Sequence, residues 1–127
     1  MAKPKVLLLD DEPGILRALS RELQSVAEVT AVASVNEALK LIEAQTYDIV
    51  IADLRLPDRW GDELLAVVAA RAPQTRRMLL TADTDPQRTV RELIDRGVVQ
   101  DCFQKPFADD LIAAVRGFRT RQPTIKL

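Results

Sequence analysis

The chain has 127 residues, 47% of them hydrophobic and 29% charged, which suits one compact domain with a substantial core and leaves no room for a second. Its 18 basic and 19 acidic residues give a net charge of −1, so bulk electrostatics point neither to direct nucleic-acid binding nor to a membrane surface. A single cysteine excludes an internal disulfide, and the absence of histidine removes the commonest zinc ligand and general base, so a bound metal should be a hard, oxygen-ligated one.

Lys5 to Leu9 is a short continuous apolar run, as expected of a strand covered on both faces. It runs straight into Asp10-Asp11-Glu12, which is incompatible with a secretory leader or a membrane span, and a cytoplasmic location is expected. Pro13 suits a first helical turn, and Ile15, Leu16, Leu19 and Leu23 recur at helical spacing to about Ser25. Glu28 to Ala33 is a short β-branched segment. Ser34 with Glu37 three residues later is a capping box opening a second helix that buries Ala38, Leu41 and Ile42.

The next apolar run, Ile49-Val50-Ile51-Ala52, ends in Asp53, and Pro57 then removes a backbone donor and prevents simple continuation of the strand. Gly61 marks a turn into a third helix carrying Leu64, Leu65, Val67 and Val68 and ending before Pro73. Met78-Leu79-Leu80 is a buried strand ending at Thr81-Ala82-Asp83. Asp85-Pro86 caps a fourth helix through Val90, Leu93 and Ile94, with Gly97 as its stop. A last strand lies between Val98 and Gln104, Lys105-Pro106 breaks it, and a fifth helix runs from Ala108 to about Arg119. Residues 1–120 are expected to form the domain, and 121–127, which lack periodicity, a linker.

Five short strands alternating with five helices specify a doubly wound parallel sheet, and the flavodoxin-like order 2-1-3-4-5 is expected. That order puts its switch point between the first and third strands, whose carboxyl ends carry Asp10-Asp11 and Asp53. The same edge receives Thr81 and Lys105. Taken alone, Asp53 could be a solvated turn carboxylate. Convergence changes the weighting, because three carboxylates close together repel one another unless a cation holds them. Mg²⁺ meets that need and can also take a phosphoryl oxygen. With a lysine and a threonine hydroxyl to receive an anion, the set describes a phosphoryl-transfer site with Asp53 as nucleophile.

These residues resemble the receiver domains of bacterial two-component response regulators over roughly residues 4 to 120. The likeness rests on the strand ending in Asp10-Asp11-Glu12-Pro13, on Asp53-Leu54-Arg55-Leu56-Pro57 with Gly61 beyond, on Leu79-Leu80-Thr81-Ala82, and on Lys105-Pro106-Phe107. The resemblance implies that Asp53 is the phospho-acceptor, Asp11 a direct Mg²⁺ ligand, Asp10 an outer-shell acid and the Arg55 backbone carbonyl a further ligand. It further implies that Thr81 and Lys105 contact the phosphoryl group and that Lys105-Pro106 is a cis peptide.

The chain departs from the family's usual pattern at Cys102, which stands where an aromatic switch residue is usual, and in a Gly97-to-Lys105 spacing one residue longer than in most receivers. Its last strand is similar to the subgroup with an Arg-Phe-Leu-Thr-Lys-Pro-Trp type motif. Implied partners are a sensor histidine kinase or phosphotransfer protein, a C-terminal output domain, and a second copy through helices four and five.

Other readings stand beside these. Cys102 also fits as a small core residue, Trp60 as either a partner anchor or a cover for its loop, and the arginines at 71, 76, 77, 116, 119 and 121 as solvated surface. A Mg²⁺-dependent aspartyl-phosphate phosphohydrolase commonly has a second aspartate two residues after its nucleophile, where this chain has Arg55. A phosphorylation-independent binding module of the same fold has no need of Asp10, Asp11, Thr81 and Lys105 together. Accordingly no enzymatic turnover on an external substrate is expected. Arg55 and Asp83 flank the path of an attacking water, and their side chains are expected to pair over the phosphoryl group and prolong its lifetime.

Overall fold

The computed structural model describes residues 3–82, 86–105, 108–119, 122–123 and 125–126. In chain order the elements are β1 (Lys5–Leu9), α1 (Pro13–Leu23), β2 (Glu28–Val32), α2 (Val35–Ala44), β3 (Ile49–Asp53), α3 (Gly61–Arg71), β4 (Arg76–Thr81), α4 (Pro86–Asp95), β5 (Asp101–Gln104), α5 (Ala108–Arg116) and β6 (Ile125–Lys126). All paired strands are parallel, in the order β2-β1-β3-β4-β5-β6.

The first five strands follow the expected 2-1-3-4-5 order. The expectation of five strands is corrected by β6, which pairs Ile125 and Lys126 with Cys102 and Phe103 inside the segment read as a linker. A two-residue strand has no periodicity to detect; an open edge at β5 and the Arg76 guanidinium, 3.3 Å from the Gln122 carbonyl, are what give it a seat.

Strand alternation divides the core into two clusters. Leu7, Leu9, Val50, Ala52, Leu79 and Cys102 face α2, α3 and α4, through Val35, Ala38, Leu64, Leu65, Val68, Val90 and Leu93. Val6, Leu8, Ile49, Ile51, Met78, Leu80 and Phe103 face α1 and α5, through Leu23, Leu111, Ala114 and Val115. Coverage on both faces explains why the strands read as unbroken apolar runs rather than alternating ones.

The helix ends follow local chemistry. Ser34 Oγ accepts from the Glu37 backbone N–H at 3.2 Å, the cap expected for α2 and worth about 1 kcal/mol. Gly97, at φ 74°, takes the left-handed turn after α4 while its N–H bonds the Ile94 carbonyl and that of Val98 bonds the Leu93 carbonyl. Asp85, the expected cap of α4, lies outside the described residues. Of the apolar residues that trace α4, Val90 and Leu93 are buried and Ile94 is exposed.

Arg76 and Arg77 correct the solvated-surface reading. Both belong to β4, between β3 and β5, so their stems start inside the sheet. Arg76 holds the fully buried Asp101 with Nε at 2.6 Å and Nη2 at 3.0 Å. Buried Arg77 donates to the carbonyls of Val98, Pro73, Thr75 and Gly97, joining the loops that follow α3 and α4. Burial pushes its pKa down, with the neighbouring Arg76 adding to the shift. Among the described residues no helix is long and apolar enough to cross a membrane.

Candidate functional site

The carboxyl ends of four strands meet at one edge of the sheet. Leu9 pairs with Ala52, which brings Asp10 beside Asp53; Asp53 pairs with Leu80, and Thr81 with Gln104, which brings Thr81 and Lys105 to the same level. Asp10 is fully buried, and Asp53 and Thr81 nearly so. Asp11 is exposed at the rim. A cavity of about 300 Å³ is lined by Asp11, Glu12, Asp53, Arg55, Thr81, Ala82 and Lys105.

Lys105 is the hub of the electrostatics. Its Nζ donates to Asp53 Oδ2 at 3.0 Å and stands 2.7 Å from Asp10 Oδ2. Asp10 is thus held from both sides, its Oδ2 by the Lys105 ammonium and its Oδ1 by the Glu12 backbone N–H at 3.0 Å. Burial pushes the Asp53 carboxyl up, and the nearby Asp10 charge adds to this; Lys105 and the Arg55 backbone N–H pull it back without cancelling the shift. Burial works the other way on Lys105, yet the contacts with Asp10 and Asp53 outweigh it and leave that pKa raised. The lysine is therefore held charged at neutral pH.

A cation fits this donor set on its chemistry. Asp10, Asp11 and Asp53 each offer a carboxylate oxygen, and these lie within 4.8 Å of one another. An all-oxygen set of three carboxylates this close suits a hard divalent ion such as Mg²⁺.

The β3–α3 loop holds Asp53 in place through its backbone. Gly61 N–H donates to the Leu54 carbonyl at 2.8 Å, and Arg55 and Trp60 form an isolated antiparallel bridge. A Cβ on Gly61 would lie 1.9 Å from the Asp53 carbonyl oxygen, so a side chain is excluded by close approach. The loop is tied to α2 by Asp58, whose carboxylate accepts from Val35 N at 3.2 Å and Asn36 N at 3.0 Å.

The structure thus brings together the sequence-derived set Asp10, Asp11, Asp53, Arg55, Thr81 and Lys105. Cys102 is not among the residues lining the cavity; it is fully buried in the core cluster shared with α2, α3 and α4, and burial, with the neighbouring Asp101 charge, pushes its thiol up to about 12. Asp83 lies outside the described residues, as do Pro106 and Phe107 and with them the expected cis peptide. Asp58 was not singled out from the sequence; an Asp directly after Pro57 is a turn signal there, with nothing local to indicate that it caps a helix 23 positions back.

Compared with known proteins, the chain matches the family described as "Response regulator receiver domain" over residues 6–116. It is 32% identical over 111 residues to the hydrogenase transcriptional regulatory protein HoxA of Cupriavidus necator, a match covering 87% of this chain and 23% of that protein. It is also 32% identical over 126 residues to the alginate biosynthesis transcriptional regulatory protein AlgB of Pseudomonas aeruginosa, covering 97% of this chain and 28% of that protein. Among solved structures, the signal receiver domain of an HD domain-containing protein from Pseudomonas fluorescens Pf-5 is similar at a TM-score of 0.82 and 30% identity, covering 91% of this chain and 93% of that one. The chain spans about a quarter of the length of these curated relatives.

Proposed function

Because this chain belongs to the response regulator receiver domains of two-component systems, we propose that it is a phosphorylation-dependent switch that accepts a phosphoryl group on Asp53 from a sensor histidine kinase or phosphotransfer protein. The observation that carries this reading is Lys105, whose ammonium lies 3.0 Å from Asp53 and 2.7 Å from Asp10 at the mouth shared with Thr81.

An Asp53 oxygen attacks phosphorus in line. The new O–P bond forms as the donor's bond to phosphorus breaks, and the leaving group departs with the bonding pair. Lys105, already placed against Asp53, balances charge on the transferred oxygens, and the Thr81 hydroxyl donates to one of them. Asp11, Asp53 and the Arg55 carbonyl would hold Mg²⁺, with Asp10 behind them. Bound there, the ion would neutralise the carboxylates and take a phosphoryl oxygen. The reading places the domain in the cytoplasm and joins it to an output domain of the kind the transcriptional regulatory relatives suggest. The last-strand subgroup is part of the same proposal.

The test is intact-protein mass spectrometry after acetyl phosphate and Mg²⁺. A persistent phosphoryl adduct on Asp53 is expected. Rapid turnover without an adduct would favour the phosphohydrolase instead, and no reaction at all would leave a phosphorylation-independent binding module.

The signal leaves toward α4 and α5, whose face is proposed to meet a second copy or an output domain; Ile94 supplies an exposed apolar group on α4. Movement of Thr81 toward the phosphoryl group opens space on the Cys102 side of β5, and a thiol fills little of it. At about 25 cal/mol per Å², a ring there would add on the order of 1–3 kcal/mol of differential stabilisation, comparable with an allosteric coupling energy. Wild type is thus expected to shift only partly on activation. Cys102→Tyr, over-packed at rest by about 1–3 kcal/mol, is expected to shift further. NMR shift changes across α4 and α5 with beryllofluoride decide it: a complete transition in wild type, unaltered in the variant, would place the signal route elsewhere.

A further inference from the structure

Trp60 is the one tryptophan of the chain and is half exposed, immediately ahead of α3. Its ring is engaged on one side. The Arg55 guanidinium carbon stands 5.5 Å from the ring centroid, within cation–π range, and the two residues are also joined through the antiparallel backbone bridge. Arg55 lines two neighbouring cavities: the one containing Asp53, Thr81 and Lys105, and one of about 480 Å³ that Trp60 lines with Leu56, Pro57 and Asp58. The Asp58 bonds to α2 and the Gly61–Leu54 hydrogen bond hold the platform from below.

We propose that Trp60 is a positioning residue that keeps the Arg55 guanidinium at the mouth of the Asp53 cavity and so prolongs the life of the phosphoryl group; this rests on Asp53 being the acceptor. A guanidinium is weakly hydrated and stacks on aromatic faces, so the ring narrows the set of rotamers open to the long Arg55 stem. Hydrolysis needs a water oxygen to bond to phosphorus as the Asp53 oxygen–phosphorus bond breaks. The bonding pair returns to the carboxylate, and both water hydrogens end on inorganic phosphate. A side chain kept over the mouth lowers the frequency with which water reaches the in-line position.

The experiment measures dephosphorylation of the full chain after acetyl phosphate and Mg²⁺. Trp60→Leu is expected to shorten the phosphoryl lifetime about two- to fivefold, the size of one exposed cation–aromatic contact. Trp60→Phe should restore most of the lifetime. In an Arg55→Ala background, itself short-lived, Trp60→Leu should add nothing, because the platform then has nothing to hold. In the metal-free, unphosphorylated protein, Arg55→Ala should change the Trp60 emission. An unchanged or longer lifetime in Trp60→Leu, no rescue by phenylalanine, or an equal acceleration without Arg55 would each overturn the proposal. A wild type that forms no phosphoryl-protein would instead overturn the acceptor reading itself, and this inference with it.

Discussion

Asp53→Asn is expected to abolish both acetyl-phosphate labelling and beryllofluoride binding while leaving the domain folded. The amide is nearly isosteric, so β3 and its pairing with Leu80 are kept. What is lost is an anionic oxygen able to bond phosphorus or beryllium, together with one of three carboxylates available to a cation. Lys105 retains Asp10 at 2.7 Å, so the substitution does not strand a buried charge. The like-charge opposition between Asp10 and Asp53, which helps burial to hold the Asp53 pKa up, is relieved at the same time. Thermal stability is therefore expected to stay within about 1 kcal/mol of wild type, against the 3–5 kcal/mol that follows when a buried pair loses its only partner. Trp60 fluorescence provides the titration signal. In wild type, beryllofluoride should bind only with Mg²⁺ and be released by a chelator. Binding without the metal would sink the assignment of Asp10, Asp11 and Asp53 as a cation site.

Gly61→Ala should be nearly as damaging although the residue carries no chemistry. Its added Cβ would lie 1.9 Å from the Asp53 carbonyl oxygen and 2.9 Å from the Asp53 carbonyl carbon, and neither can swing away as a side-chain tip could. Relief requires the start of α3 or the end of β3 to move by about an ångström. An over-packed site of this kind costs on the order of 3 kcal/mol, which for a domain of this size lowers the melting temperature by roughly 10 °C. A displacement of about 1 Å at a nucleophile can also cost about a hundredfold in rate. The expected result is a folded but destabilised protein whose labelling by acetyl phosphate is slowed by about two orders of magnitude. A wild-type melting curve together with a wild-type labelling rate would show that the approach of Gly61 to Asp53 is not a constraint.

Much of this molecule is written in local pattern. Apolar runs at β1, β3 and β4, helical spacing in α1 and α3, the Ser34 cap and the Gly97 stop all arise between residues a few positions apart, where the chain's own geometry decides the outcome. Because each parallel strand delivers its last side chain to one edge, the set Asp10, Asp11, Asp53, Thr81 and Lys105 was also readable once the strand order was in place.

The sequence by itself therefore determined the doubly wound sheet and the identity of the groups at its carboxyl edge. Tertiary structure alone decided where the remaining polar groups found partners. Arg76 and Arg77 look like surface arginines in the chain, yet their partners come from segments brought beside β4 only by folding: Asp101 is 25 positions away and Val98 is 21. Asp58 caps a helix 23 positions back, and β6 exists because β5 leaves an edge to which Ile125 and Lys126 can pair. Gly61 is a turn signal in the sequence and a close backbone contact in the fold. The physical reason is common to all of them. Periodicity records which face of an element is apolar, whereas the satisfaction of buried polar groups depends on which elements meet, and only the packed chain specifies that.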